Sequence, residues 1–265
     1  MTSNLEPYDL SGAKRDMLEQ VFSQFVPLPI LEVYQKRPRP SVLRKRAMED
    51  LSIRDLQMNR HSPAVMEAVL RSIQLSWDNF AEGSVAPNEF MRTPFGAMYK
   101  VVAVEGKGRG MIASRDIKAD EIILQESPVL ILPPGDANTI LFLTLPQKAL
   151  EAILLLHNAK PDNNRFTNAD DIPVHRLLDL ISGILDTNCF TGTASYGSVG
   201  VLLLRGALFN HSNTPNVCYT LDGTKEVSIF KAERDIKGGE ELEIGYVPDD
   251  LSLAAKAERL KNYGL

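Results

Sequence analysis

Only two cysteines, Cys189 and Cys218, occur in 265 residues. Two thiols cannot build a multi-bridge framework or a four-cysteine metal cluster, so a reducing compartment is expected. No apolar run approaches the ~20 residues that a bilayer-spanning helix needs. Residues 1–10 are polar and carry Glu6 and Asp9, unlike a secretory signal peptide. Positive charge is not in excess either. The chain has 29 Lys+Arg against 34 Asp+Glu, a net charge of −5, so strong nucleic-acid binding is not expected and basic partners are favoured. No low-complexity tract and no internal repeat stand out. What remains is ordinary globular composition, 44% hydrophobic and 24% charged, long enough for one large domain with an arm, or for two domains.

Residues 1–95 read as helices and loops. Met17, Val21, Phe22 and Phe25 have helical spacing and stop at Pro27 and Pro29. A basic patch over 36–46 reads either as a nuclear-localisation or polyanion segment, or as a solvated loop leading into the charged face of a helix over 43–56. Ser62 and Pro63 predict a capped helix start, and Val65, Val69, Ile73, Trp77 and Phe80 form one stripe suited to docking against the next domain. From Tyr99 the period changes, and runs at 99–104, 122–125 and 129–132 predict short strands. Pro146 opens a helix through about residue 158. Pro173 opens another, with Val174, Leu177, Leu178, Ile181, Ile184 and Leu185 on one face. His157 and His175, beside these helix ends, read as capping or surface residues. Strands return at 217–221 and 227–232, joined through Asp222-Gly223, a hairpin signal, and again at 241–244. Asp250 is placed to cap a closing helix in which Leu253, Ala257 and Leu260 share a face, with Gly264 at its stop.

The residues with chemical potential fall in three segments. Residues 106–110 read Gly-Lys-Gly-Arg-Gly; alternate glycines alone suit a hairpin, and no Gly-Lys-Ser/Thr follows to make a phosphate loop. Residues 210–216 read Asn-His-Ser-Asn-Thr-Pro-Asn after the apolar run 199–209, which by itself is a polar turn. Residues 240–246 read Glu-Glu-Leu-Glu-Ile-Gly-Tyr, whose tyrosine alone would be a strand-end aromatic. In that order the three resemble the signature segments of the SET domain, the fold of protein lysine methyltransferases that use S-adenosyl-L-methionine (SAM). Residues 106–128 as a whole resemble the opening of that domain. The resemblance covers about residues 99–265 and points toward fungal SET proteins related to the MYND-associated group.

That resemblance implies an α+β, SET-type fold of small, mainly antiparallel β-sheets with a threaded C-terminal segment, a helical insert and a helical N-terminal arm. The arm would be residues 1–95 and the SET domain 96–265. The latter divides into an N-terminal part (96–126), a mostly helical insert (127–187), a C-terminal part (188–250) and a closing helix (251–265). SAM would lie against Lys107, Gly108 and Arg109, where glycine lets backbone approach the ligand, and against Asn188, Asn210 and His211. Asn188 reads equally as the cap of the preceding helix. Asn210 can donate and accept at once, which suits an amino-acid-plus-purine ligand.

Tyr246 would stand both at the cofactor and at the methyl-transfer point. Methyl transfer to an amine is an in-line displacement that needs positioning, with nitrogen and methyl carbon ~3 Å apart, and no metal. A lysine of pKa ~10.4 is ~99.9% protonated near neutral pH, so its deprotonation costs ~4 kcal/mol. An apolar channel beside a sulfonium lowers that cost. The implied partner is a protein presenting a target lysine, histones included, in the nucleus or cytoplasm. A SET-derived SAM-binding scaffold without turnover and a SAM enzyme acting on a small molecule are the alternatives. In the relatives a cysteine usually follows Asn-His-Ser and joins a later cysteine cluster. Here Asn213 stands at that position and the sequence reads Tyr263-Gly264-Leu265 where the cluster would start, so no structural zinc is expected. The channel wall that this module provides would come from residues 1–95, from a partner subunit, or not at all.

Overall fold

The structure, a computed structural model, describes residues 62–80, 86–133, 141, 145–160, 174–195, 197–247, 251–263 and 265. The expected helices around residues 17–25 and 43–56, the basic patch, Pro173, the first apolar side chains after it, Asp250 and Gly264 lie outside the described residues. In chain order come α1 (Pro63–Asn79), β1 (Tyr99–Val104), β2 (Gly108–Ala113), β3 (Ile122–Glu126), β4 (Leu130–Leu132), α2 (Gln147–Leu154) and α3 (Val174–Asn188). Then follow β5 (Cys189–Ala194), β6 (Gly197–Leu202), β7 (Asn210–His211), β8 (Val217–Asp222), β9 (Val227–Ala232), β10 (Glu243–Ile244) and a closing helix, Leu253–Leu260. The strands form small sheets, β1–β2, β3–β9–β8 and β4–β6–β5, all antiparallel, with one parallel pair, β7–β10. This is the expected layout of small sheets and helical insert.

The Ser62 hydroxyl accepts from the Val65 N–H at 3.3 Å, and Pro63 occupies the first turn, where its missing N–H loses nothing. The stripe Val65, Val69, Ile73 and Trp77 is buried against β4, and Phe80 is half-buried. Two serines finish that docking. Ser72 Oγ donates to Val69 O at 2.7 Å and accepts from the Ile131 N–H at 2.9 Å, while Ser76 Oγ donates to Val129 O. Because β4 is an edge strand, these bonds cover polar groups that would otherwise be buried without partners.

Several boundaries differ from expectation. The β5–β6 hairpin was not foreseen, because Gly and Thr thin out the alternation of β5. Asp222 joins β8 and pairs with Val227, so the β8–β9 loop is the four residues 223–226, with Glu226 (φ 54°) in a left-handed conformation. Gly223 serves a different need there: a Cβ would lie 2.3 Å from that of Ala194. The last strand narrows to Glu243–Ile244, with Glu241 making one antiparallel bridge to Ile112. Ser252 caps the closing helix, its Oγ accepting from the Ala255 N–H at 3.3 Å, and Leu253 is left 87% exposed rather than joining an apolar face.

One tetrapeptide, Arg-Asp-Ile-Lys, occurs at 115–118 and again at 234–237. The copies clasp each other. Ile117 N–H donates to Ile236 O at 2.9 Å and Ile236 N–H to Ile117 O at 2.8 Å. Lys118 pairs with Asp235 and Lys237 with Asp116, both at 2.8 Å. Exposed ion pairs are each worth about 0–1 kcal/mol, so the two buried isoleucines carry most of the anchoring. The clasp lays residues 239–242 beside β2, where Leu242 N–H donates to Met111 O and Ala113 N–H to Glu240 O, both at 2.8 Å.

Candidate active site

From that clasp the chain runs directly into β10, which pairs in register with β7: Glu243 opposite Asn210 and Ile244 opposite His211. Asn216 fixes the register. Its Nδ2 donates to Glu241 O at 2.8 Å and its Oδ1 accepts from the Glu243 N–H at 2.9 Å, so a buried side chain stands in for a strand neighbour. Tyr246 is thereby set against His211, ring centroids 5.3 Å apart. The Tyr246 N–H donates to His211 Nδ1 at 3.1 Å. With Nδ1 accepting, a neutral ring carries its proton on Nε2, a buried atom with no partner among the described residues. The Tyr246 hydroxyl donates to Phe209 O at 2.7 Å. Burial, followed by Tyr263 and Glu241, holds this phenol well above the ordinary tyrosine range.

A cavity of about 1280 Å³ opens here, and Lys107, Gly108, Arg109, Asn188, Asn210, His211 and Tyr246 all line it. Residues spread over the chain thus meet at one surface. Single-ligand sites run to roughly 300–1,000 Å³, so the space suits a nucleoside-sized ligand together with a second group.

The individual side chains have specific engagements. Gly106 (φ 74°) and Gly108 (φ 80°) turn the β1–β2 hairpin, conformations that favour glycine. The Lys107 ammonium bonds Glu243 Oε1 at 2.7 Å and Glu241 Oε2 at 2.9 Å; the bond to Glu243, more than that to Glu241, raises its pKa. Arg109 donates to Met91 Sδ at 2.9 Å and to Leu155 O, with burial pulling its pKa down. Asn188 Nδ2 closes α3 on Ile184 O at 2.7 Å and reaches His157 O at 2.6 Å, and the residue lines the cavity.

Other residues of the site went unrecognised in the sequence. Gly110 stands behind the lining residue Asn210: a Cβ there would sit 2.6 Å from Asn210 Nδ2 and 2.7 Å from Val104 Cγ2. Its place as the third glycine of a run in which two suffice for the turn was the available signal. His157, expected only at a surface or cap, lines the cavity, and desolvation, with Arg109 behind it, keeps its imidazole below the ordinary range. Tyr219 packs against Phe190 (4.7 Å) and Phe230 (5.3 Å), and burial pushes its phenol up to about 12. Part of the cavity wall comes from the C-terminal segment: Arg259, Tyr263 and Leu265 line it, with Tyr263 4.8 Å from the Tyr246 ring, and among the described residues before Tyr99 none does.

A family described as the SET domain matches residues 108–247. Histone-lysine N-methyltransferase set5 of Schizosaccharomyces pombe is 32% identical over 152 residues, 57% of this chain and 42% of that protein. The chain therefore spans less than half of that relative's length. The SET domain-containing protein L678 of Acanthamoeba polyphaga mimivirus is 30% identical over 189 residues, 62% of this chain and 72% of that one. Among solved structures, the SET domain of LSMT bound to lysine and AdoHcy overlaps with a TM-score of 0.40 at 16% identity, covering 74% of this chain and 57% of that one.

Proposed function

The chain belongs to the SET-domain family, and from that premise we propose that it transfers a methyl group from SAM to a lysine of a protein, histones included. The observation that carries the reading is the β7–β10 pairing, which puts Asn210, His211 and Tyr246 on one cavity. The residues present fit SAM in kind. Gly110 leaves backbone bare beside Asn210, and His211 Nε2 is a buried donor with no partner among the described residues. Asn188, Asn210, His211 and the Lys107–Gly108–Arg109 backbone would hold the cofactor, which when bound supplies an electrophilic methyl on a sulfonium.

Tyr246 contributes by position and by staying neutral. Its proton is directed at Phe209 O, so the oxygen keeps lone pairs with which to orient an amine, and its raised pKa prevents a phenolate from competing as nucleophile. Tyr263 and Tyr219 supply apolar walls that favour the uncharged amine over the ammonium.

The test is calorimetric titration of the full chain with SAM, followed by labelled-methyl transfer to protein extract by wild type and Tyr246→Phe. Binding in the micromolar range is expected, with transfer reduced at least about tenfold in the variant. A wild type that binds no SAM removes the cofactor from the reading. SAM binding without labelled protein in any extract favours the scaffold or small-molecule alternative.

A further inference from the structure

Resting on that reading, we propose that Glu241 is a positioning residue: it fixes which way the Asn210 amide faces, with Lys107 as its counter-ion, so that Asn210 turns its carbonyl oxygen toward the ammonium of SAM. An ionised carboxylate only accepts hydrogen bonds. The Asn210 group 2.8 Å from Glu241 Oε1 is therefore its NH₂, and a flipped amide would set oxygen against oxygen. With that NH₂ committed, the Oδ1 is the end left to meet a donor. The backbone of Gly110 packs over this same contact, where even a methyl group would lie 2.6 Å from Asn210 Nδ2 and 3.3 Å from Glu241 Oε1, so the NH₂ end is enclosed as well as bonded.

Glu241 is itself held in place. Its backbone bridges to Ile112, its carbonyl accepts from Asn216 Nδ2, and its second oxygen takes Lys107 Nζ at 2.9 Å. That ammonium is shared with Glu243 at 2.7 Å. Two carboxylates facing one ammonium leave a negative charge beside Asn210, which favours a cationic group on the ligand. The Lys107 side chain accordingly acts through Glu241 rather than on the cofactor, and only its backbone remains for the ligand.

Calorimetry on the full chain tests this with Glu241→Gln, Asn210→Ala, the double variant and Lys107→Met. The ligands are SAM and 5′-methylthioadenosine, which lacks the amino-acid part. Glu241→Gln should weaken SAM about tenfold or more while changing 5′-methylthioadenosine by less than about twofold. In the Asn210→Ala background the same substitution should add less than about twofold, since it acts through that amide. A Glu241→Gln protein that binds SAM like wild type, that loses both ligands equally, or that loses as much without Asn210 overturns the proposal. If Glu241→Gln melts well below wild type, Lys107→Met carries the test: a loss of about threefold confined to SAM supports the role, and an equal loss for both ligands overturns it. A wild type without SAM binding fails the preceding reading instead, so the two failures are distinguishable.

Discussion

Gly110→Ala gives a sharply defined perturbation of the site. Gly110 lies in β2 without a positive φ, so alanine meets no backbone penalty there, and reduced freedom of the unfolded chain contributes about 0.4–1 kcal/mol in its favour. Against this, the new methyl would lie 2.6 Å from Asn210 Nδ2 and 2.7 Å from Val104 Cγ2. Both are ends of side chains that can move, so overpacking should fall near the lower part of its usual range, about 1–3 kcal/mol. These two effects together change stability by about 1 kcal/mol or less. The Asn210 amide, however, is forced off Glu241, which costs a further charge-assisted hydrogen bond of about 1.5–3 kcal/mol and the orientation it sets. SAM affinity should fall about 10- to 100-fold and the melting temperature by about 4–12 °C. Gly106→Ala is the control. It has open space around it but φ 74°, so it should lose about 1–2 kcal/mol of stability with SAM affinity retained. Calorimetry and thermal melts on both variants decide the matter. If Gly110→Ala binds SAM like wild type, or Gly106→Ala loses binding as strongly, the steric account of this hairpin is wrong.

Three other perturbations probe the surrounding structure. Tyr219 has a folded-state pKa of about 12 against an ordinary 10.0, so its contribution is intact below pH 10 and is lost as pH rises toward 12, about 3 kcal/mol in all. The melting temperature should fall steeply over that window, and Tyr219→Phe should flatten the fall; an unchanged slope counts against the assignment. Ser72→Ala strands the buried Ile131 N–H and should lower stability by about 1–3 kcal/mol in a thermal melt, with a shift under about 1 °C refuting the docking role of α1. The Glu126 carboxylate accepts from the N–H groups of Leu204 and Arg205 at 2.9 Å each and Gly206 at 2.7 Å, just ahead of β7. Glu126→Gln turns a donor toward one of them and should weaken both the melt and SAM binding, whereas loss of neither shows the turn to be self-supporting.

Much of this protein is written locally. Ser62 next to Pro63, the β-branched runs at 99–104 and 227–232, and the apolar spacing of α1 are instructions that a segment can follow with its own neighbours, and each element forms where those residues stand. The three motif segments are legible for a related reason, because the residue types a ligand needs are displayed in the chain whatever the fold does with them. Partnership is different. Nothing near Asn210 announces Glu241, nothing near Tyr246 announces Tyr263, and the two Arg-Asp-Ile-Lys copies gain meaning only when Ile117 and Ile236 exchange hydrogen bonds. Propensity and periodicity act over a few residues, while a cavity is closed by whichever distant segments the packing delivers to it. The sequence alone therefore determined most of the elements, though not the β5–β6 hairpin, and the candidate chemistry; the tertiary structure decided which side chains face one another across the cavity, because hydrogen bonds and steric exclusion depend on distance in space rather than along the chain.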